Sequence, residues 1–283
     1  MPIYDQGYRR YEARGPLRQA RFWPITREAL RLVLSKRAFL GLLVASFIPF
    51  VVRVGQIYFI SQAPQNPLAE RLPIDGRLFG EFLNQQIGFT ILLVIFGASG
   101  LVANDLRTGA ILAYLSRPLT RRDYVIGKLL VPLFLCLSVT LAPALLLYAT
   151  GLSLAPDFYG KWELAWIAPA IVLHACTISL VVSLLTLAIS ALSRSARVAG
   201  LGLFGLIVGL EPVRLVLQFG LRQKPAMLLS VQTNLHALGA ALFGITDRQV
   251  EMAWGWSALV LALVSLGCLY VLRSRVRAVE IVT

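Results

Sequence analysis

The sequence has few charged side chains and few of the residues that build catalytic or metal sites. Only 14% of its 283 residues are charged, whereas a soluble domain carries about a quarter. It has two histidines and three cysteines, and Cys136, Cys176 and Cys268 follow no CxxC or Cys/His spacing. We therefore expect the cysteines to be small buried residues, with no disulfide framework and no metal site.

Acidic residues are also scarce: 14 Asp and Glu stand against 27 Lys and Arg, and the net charge is +13. Such an excess first suggests a nucleic-acid partner. Most of the basic residues, however, lie beside long apolar runs, where they indicate the cytoplasmic ends of membrane spans. We expect a lipid bilayer around the chain and no nucleic acid.

Long apolar runs are the dominant feature of the sequence. Apolar residues make up 57% of the chain, and they fall in runs of about twenty, long enough to cross a hydrocarbon core as helices. The pattern predicts an all-α polytopic membrane protein whose transmembrane domain, residues 38–273, has six helices and both termini in the cytoplasm. The predicted spans are residues 38–60, 82–103, 124–150, 161–190, 198–219 and 254–272. Glu211-Pro212 is expected to interrupt the fifth.

The segments outside the spans have patterns of their own. Residues 1–23 are basic and Tyr-rich, which predicts a cytoplasmic tail held near anionic lipid, or an arm that contacts a partner. Residues 274–283 predict a second, short basic tail. Residues 24–37 predict an interfacial amphipathic helix. Its expected apolar face consists of Ile25, Ala29, Leu32 and Val33.

Residues 225–244, between the fifth and sixth predicted spans, are apolar around a polar centre at Ser230–His236. A full crossing here would place the basic end of the chain outside, against the positive-inside rule. We therefore expect two re-entrant half-helices that turn back at the polar centre, with protein or water around the irregular backbone.

Two motifs resemble nucleotide-binding sequences, but neither has the required context. Gly200–Gly205 fits GxGxxG, yet it lies inside a predicted span and not in a βαβ unit. Gly127-Lys128 lacks the glycine that a P-loop needs five residues earlier, because Arg122 stands there. We expect no catalytic residue and no nucleotide site in this chain. Gly205 and Gly209 form GxxxG, which favours close helix contact, as at a dimer seam.

The basic stretch from Asn104 to Leu130 separates the second and third predicted spans. Ser116-Arg117-Pro118 divides it into a short helix, a turn and the start of the next helix. This stretch resembles the cytoplasmic loop of type-2 ATP-binding-cassette (ABC) exporter permeases. The family's acidic residue, Gly-Thr-Leu-like step, Leu-Ser-x-Pro and aromatic-x-x-Gly-Lys run are matched by Asp105, Thr108-Gly109-Ala110, Leu115-Ser116-Arg117-Pro118 and Tyr124-Val125-Ile126-Gly127-Lys128. The arrangement of helices is similar over most of the chain.

The resemblance implies a permease subunit that exports a substrate with energy from ATP hydrolysed elsewhere. A separate ABC ATPase, which binds ATP and Mg²⁺, would dock on the coupling loop, residues 104–123, whose coupling helix runs from about Asp105 to Leu115. A second permease copy or a paralogue would complete the transporter in the bacterial cytoplasmic (inner) membrane.

The resemblance also implies roles for individual residues. The expected docking residues are Asp105, Arg107, Thr108, Arg117 and Pro118, with Arg121 and Arg122 at the rim or on lipid. The expected lining of a translocation pathway or outer gate consists of Asn84, Gln85, Glu211, Arg214, Gln232, Asn234 and His236.

Three other functions remain open on the sequence alone. The chain could be a secondary carrier or channel that works without a partner, although few ionisable residues lie deep in its spans. It could be a membrane-embedded enzyme that uses Glu211 or His236. It could also be a membrane anchor that recruits a soluble complex.

Overall fold

The computed structural model describes residues 22–62, 75–110, 120–154, 164–221, 224–245 and 254–275. Within these ranges every regular element is helical. In chain order the α-helices are α1 (Trp23–Leu34), α2 (Arg37–Ala45), α3 (Ile48–Gln62), α4 (Gly76–Gly97), α5 (Ala103–Thr108), α6 (Arg121–Leu154), α7 (Ile167–Leu192), α8 (Ala196–Ile207), α9 (Leu210–Leu215), α10 (Val231–Leu242) and α11 (Trp254–Arg275). A π-helical turn, Val216–Gly220, follows α9, and a 3₁₀ helix, Lys224–Leu229, precedes α10.

Six helical segments are long and apolar enough to cross a membrane, which confirms the predicted all-α architecture with six spans. They are Arg37–Gln62, Gly76–Gly97, Arg121–Leu154, Ile167–Leu192, Ala196–Gly220 and Trp254–Arg275. The second begins six residues earlier than predicted because the Asp75 side chain caps it, accepting hydrogen bonds from the N–H groups of Arg77 and Leu78. The orientation of the termini stays a prediction, since both predicted tails lie almost wholly outside the described residues.

The fourth spanning helix, α7, is the centre of the bundle. In its most apolar stretch 72% of the residues are buried, against 11% in the first span and 17% in the fifth. It packs against α4, α6 and α11, and small polar residues such as Ser179 and Ser183 let its neighbours approach closely. The first and fifth spans are consequently the least covered by the rest of the chain.

The helix predicted as interfacial is present as α1 and packs on protein, while its place at the membrane surface stays a prediction. On the predicted apolar face, Ile25, Ala29 and Val33 are buried against protein and Leu32 is 59% exposed, so only part of this face packs on the bundle. Thr26, which the pattern left out, is buried instead, and its hydroxyl donates to the carbonyl oxygen of Gly127 in α6 at 2.9 Å. The contact with α6 has turned the buried face away from Leu32.

Two of the six spans are interrupted helices. The first breaks at Ser46-Phe47, between α2 and α3, and the fifth breaks at Val208-Gly209, between α8 and α9. The predicted break at Glu211-Pro212 is therefore misplaced by about one helical turn. Pro212 lies in the first turn of α9, where backbone N–H groups have no partner in their own helix, so its missing N–H is tolerated.

Residues 225–244 form two short helical pieces. The 3₁₀ helix and α10 meet at Ser230, whose hydroxyl accepts a hydrogen bond from the N–H of Thr233 and so caps α10. The helical structure is thus interrupted within the polar centre of the segment. Its depth in the membrane, and hence its re-entrant character, stays a prediction.

One predicted burial is wrong among the cysteines. Cys136 and Cys268 are buried, but Cys176 is exposed. It lies on α7 between the exposed Leu173 and Leu180, so this side of the central helix faces outward.

The contact between α7 and α10 is among the closest in the bundle. His174 is fully buried, and its ring lies edge-on to Phe243 at a centroid distance of 6.0 Å. A Cβ atom built on Gly239 would lie 2.6 Å from Nε2 of His174. Only glycine fits at this position without displacing a buried ring.

We expect Gly239→Ala to lower the thermal unfolding midpoint of the purified protein, because overpacking of this kind costs about 1–3 kcal/mol. Gly267→Ala in α11 is the matched control, since its Cβ would meet nothing within 4 Å. The control should keep or slightly raise the midpoint, as alanine favours a helix over glycine. Equal midpoints for the two variants would contradict the close α7–α10 contact.

Candidate functional site

The turn between the second and third spans, residues 98–110, contains α5 and is called the elbow below. A single carboxylate attaches it to α6. Oδ2 of Asp105 accepts a hydrogen bond from the Tyr124 hydroxyl at 2.8 Å and pairs with Nζ of Lys128 at 2.7 Å. The Asp105 and Lys128 side chains are only 15% and 6% exposed. The Lys128 ammonium also lies 5.7 Å from the centroid of the Tyr124 ring. These shielded contacts hold α5 against the start of the third span.

A serine attaches the elbow to the central helix. The hydroxyl oxygen of Ser190 in α7 accepts hydrogen bonds from the N–H groups of Val102 and Ala103, at 3.1 and 3.0 Å. These groups lie at the N-terminus of α5, where the helix itself supplies no acceptor. The elbow is therefore connected to two spanning helices, α6 and α7.

The helix in the elbow is shorter than predicted. It begins at Ala103 and ends at Thr108, where Gly109 adopts a left-handed conformation with φ of 68°. Glycine favours this backbone geometry, and it stops the helix. The predicted coupling helix from Asp105 to Leu115 is therefore not continuous, since it is interrupted at Gly109, and its residues 111–115 lie outside the described residues.

The predicted docking residues fall into three groups. Asp105 is 15% exposed and pairs with Lys128, so the structure gives it a positioning role, and its direct contact with an ATPase stays a prediction. Arg107 and Thr108 are exposed, and the Thr108 hydroxyl donates to the Asn104 carbonyl. Arg117 and Pro118 lie outside the described residues.

Gly127 brings α1 into the same region. A Cβ atom there would lie 3.0 Å from the carbonyl oxygen of Phe22 and 3.1 Å from Cβ of Ile25. With no side chain at Gly127, α1 lies directly against α6, one residue before Lys128. The interfacial helix, the elbow and the third span consequently meet at one point.

Most of the predicted pathway residues line a second feature, a cavity of about 570 Å³. Its walls come from α4, α9, the π-helical turn and the 225–244 segment. The predicted residues that line it are Asn84, Glu211, Arg214, Gln232 and His236. We call it the polar cavity. Polar groups far apart in the sequence are thus brought together.

An ion pair lies at one side of the polar cavity. Oε1 of Glu211 accepts from Nε of Arg214 at 2.9 Å and from its Nη2 at 2.5 Å. Arg214 also donates to Gln218, and the Thr233 hydroxyl lies 3.5 Å from Oε2 of Glu211. The side chains of Arg214 and Glu211 are 12% and 28% exposed. The charge of Arg214 is therefore neutralised by Glu211 of the same helix. The uncharged side chains of Gln218 and Thr233 add hydrogen-bonding contacts to the pair.

Two predicted pathway residues do not line the polar cavity. Gln85 is exposed and lines a smaller cavity of about 350 Å³, together with Gln232 and apolar residues of α4 and α8. Asn234 is buried, and its amide donates to the carbonyl oxygens of Leu228 and Ser230, at 2.9 and 2.8 Å. Asn234 therefore holds the break before α10 in place.

Sequence reasoning left out two polar residues of the polar cavity, Gln218 and Thr233. Gln218 follows Arg214 by four residues, a spacing that would have indicated a contact on one helix face. Thr233 lies next to Gln232 in the polar centre of its segment, but its contact with Glu211 is long-range. No pattern in the sequence indicates that contact.

The elbow and the polar cavity lie towards opposite ends of the second span. Asn84 and the end of α4 at Gly97 are separated by 13 residues (97 − 84), or about 20 Å at 1.5 Å per residue. The elbow begins immediately after Gly97. A single helix therefore connects the two features.

A family model described as "ABC-2 family transporter protein" matches residues 23–273. The chain belongs to this family. The match begins with the first residue of α1 and ends near the end of α11, so it includes the interfacial helix and all six spans. The chain is thus a multi-pass membrane permease of the ABC transporter class. A comparison with curated proteins found no match.

In this ABC-2 permease, the described residues that carried the resemblance lie in or beside the contact between α5 and α6, whereas Leu115–Pro118 lie outside the described residues. Asp105, Tyr124 and Lys128 form one bonded cluster, and Gly127 provides the close contact with α1. The acidic residue and the aromatic-x-x-Gly-Lys run thus have a structural explanation: together they attach the elbow to the third span.

We expect Lys128→Met to destabilise the ABC-2 permease by on the order of 3 kcal/mol, because it leaves the shielded Asp105 carboxylate without its ammonium partner. The double variant Asp105→Asn with Lys128→Met should recover much of this loss, since no unpaired charge remains. Thermal unfolding of the purified proteins measures both effects.

Arg31→Met, which removes an exposed charge from α1, is the control and should unfold close to the wild-type temperature. A double variant no more stable than Lys128→Met alone would argue against a direct Asp105–Lys128 interaction.

Proposed function

We propose that this chain is the membrane-spanning subunit of an ABC exporter, powered by a separate ATPase that docks on the elbow and the following residues, 104–123. The main support is the elbow, a short helix attached to two spans, in a chain of the ABC-2 family without a P-loop in its sequence. ATP and Mg²⁺ are bound by the partner, and the chain itself hydrolyses nothing.

The elbow is suited to transmitting movement because it is attached at several points. The Asp105–Lys128 pair connects it to α6, and Ser190 connects it to α7. A displacement of α5 by the ATPase is therefore passed to both helices as a rigid-body tilt. Arg107 and Thr108 face outward and form the described part of the docking contact, and Arg117 and Pro118 extend it.

The polar cavity is the proposed outer gate of the translocation pathway. Its walls combine a neutralised ion pair, Glu211–Arg214, with the uncharged polar side chains of Asn84 and Gln232 and with His236. Such a lining accepts polar groups of a substrate without presenting a net charge. Because α4 connects this cavity to the elbow, a tilt of α4 changes the shape of the cavity.

A second permease, either another copy or a paralogue, completes the proposed transporter in the bacterial cytoplasmic membrane. The fifth span is a candidate contact surface. Leu201, Phe204 and Phe219 are exposed along it, and a Cβ atom added at Gly205 would meet nothing within 4 Å. Small and apolar residues of this kind permit close contact between helices in a membrane.

We expect Arg107→Glu to weaken capture of the ABC ATPase by the tagged permease about tenfold, because charge reversal at the centre of a contact costs about 1–2 kcal/mol. Quantitative co-purification from the native membrane measures the change. Arg27→Glu reverses an exposed charge on α1 and should leave capture unchanged.

Thermal unfolding separates contact from positioning. Arg107→Glu should keep the wild-type midpoint, whereas Asp105→Asn should lower both midpoint and capture. Undiminished capture by Arg107→Glu would remove this residue from the docking surface. Substrate transport by the permease alone, without ATP, would contradict the proposed function.

Thiol labelling tests the proposed orientation in a background where all three native cysteines are alanine. Arg77→Cys, at the exposed start of α4, should react with a membrane-impermeant maleimide in intact cells. Thr108→Cys, in the elbow, should react only after permeabilisation. Gln232→Cys should react in intact cells, more slowly than Arg77→Cys, if the polar cavity opens outward. Reaction of Thr108→Cys in intact cells would reverse the topology.

A further inference from the structure

A groove of about 630 Å³ lies between the start of the third span and the end of the sixth. The helices α6 and α11 both pack against α7, and their ends leave this space between them. One side of the groove comes from residues 121–126 and the other from residues 269–274. These residues lie outside the elbow and the polar cavity, although Arg121 and Arg122 belong to the segment 104–123 on which the ATPase is proposed to dock.

Three arginines line the groove: Arg121, Arg122 and Arg273. All three are exposed, and none makes an ion pair with another residue in the described ranges. The nearest carboxylate in sequence, Asp123, accepts hydrogen bonds from the N–H and hydroxyl of Thr120, at 3.0 and 2.8 Å. The groove therefore carries a concentration of positive charge, to which the dipole at the start of α6 adds and which the dipole at the end of α11 partly offsets.

The remaining walls of the groove are mainly apolar. Ile126 is 43% exposed and Leu269 is 45% exposed, while Val125 and Leu272 form its deeper part. Tyr270, 75% exposed, combines an apolar ring with a hydroxyl, as residues at a membrane interface often do. The groove thus offers cationic groups beside a surface suited to hydrocarbon.

A second arginine-lined cavity provides a contrast. Arg107, Arg194 and Arg275 line a space of about 490 Å³ beside the elbow, with Ala103, Ala191 and Ser193 among the other lining residues. It carries as many arginines but has fewer large apolar side chains. Charge alone therefore does not distinguish the groove; the combination of charge with apolar walls does.

We propose that the groove binds an anionic phospholipid. The headgroup phosphate lies among Arg121, Arg122 and Arg273, since guanidinium groups form paired hydrogen bonds with phosphate oxygens. The acyl chains lie on Ile126 and Leu269. The bound lipid joins the ends of α6 and α11, which make little direct contact, and so stabilises the folded permease. This proposal does not depend on ATP-driven export.

The test is a thermal unfolding titration of the purified permease with three probes: dioleoyl phosphatidylglycerol, dioleoyl phosphatidylcholine and inorganic phosphate. A ligand that binds only the folded state raises the unfolding midpoint. We expect phosphatidylglycerol to raise it in a saturable manner. Phosphatidylcholine, which has the same chains without net charge, and inorganic phosphate, which has no chains, should have little effect.

Replacing Arg121, Arg122 and Arg273 with glutamine should raise the phosphatidylglycerol concentration that gives half of the midpoint rise. The expected factor is about fivefold for each arginine removed, because each contributes about 1 kcal/mol of electrostatic attraction. The single variant Arg273→Gln, at an exposed helix end, should show one such step, even if the triple variant folds poorly. The matched control replaces Arg27, Arg31 and Arg197, which are exposed outside the groove. It should keep the full response.

Four outcomes would overturn the proposal. They are an equal midpoint rise with phosphatidylcholine, an equal rise with inorganic phosphate, an unchanged response in Arg273→Gln, and an equal loss in the control. The groove variants could also capture less ATPase than the wild type when phosphatidylcholine is the only lipid present. In that case the arginines bind a protein partner, and the lipid assignment is wrong.

Discussion

The Asp105–Lys128 pair is the interaction on which the position of the elbow depends. Two opposite charges are shielded from water there, and neither could remain charged at low cost without the other. The Tyr124 hydroxyl satisfies a further lone pair of the carboxylate. Because the partners lie on α5 and α6, the pair fixes where the chain turns between two spans. The interfacial helix rests on the same part of α6, at Gly127.

At the polar cavity, the charges are neutralised by a local ion pair and not by a long-range one. Glu211 and Arg214 are one helical turn apart, so they neutralise each other within one segment, with Gln218 and Thr233 as further partners. The backbone around them is irregular, with a break at Val208-Gly209 before them and a π-helical turn after them. Such irregular backbone is tolerated within a membrane where protein or water surrounds it. The elbow and the polar cavity thus differ: the elbow is fixed by long-range contacts, and the charges of the polar cavity by local ones.

Much of the fold could be predicted from the sequence, because a bilayer allows few solutions for an apolar run. The number of spans follows from length and composition, and the family resemblance follows from residues of the stretch 104–130. What could not be predicted depends on contacts between distant parts of the chain. Thr26 was left out of the contact face of α1 because the position of α6 was unknown. Asn234 was assigned to the pathway because its side chain is polar. Nothing in the sequence indicates that its amide donates to the carbonyl oxygens of Leu228 and Ser230. Asp105 was expected to face a partner, and only the folded structure places it beside Lys128.

The hydrogen bonds from Val102 and Ala103 to Ser190 have a consequence for any attempt to copy the elbow. A helix of six residues is too short to persist in water by itself, since its first turn costs more conformational freedom than its few bonds return. It exists here because a neighbouring span supplies the acceptor that its own backbone lacks. A synthetic peptide with the sequence of residues 103–108 would accordingly be a random coil. An inhibitor that imitates this surface would have to include its own substitute for the serine hydroxyl.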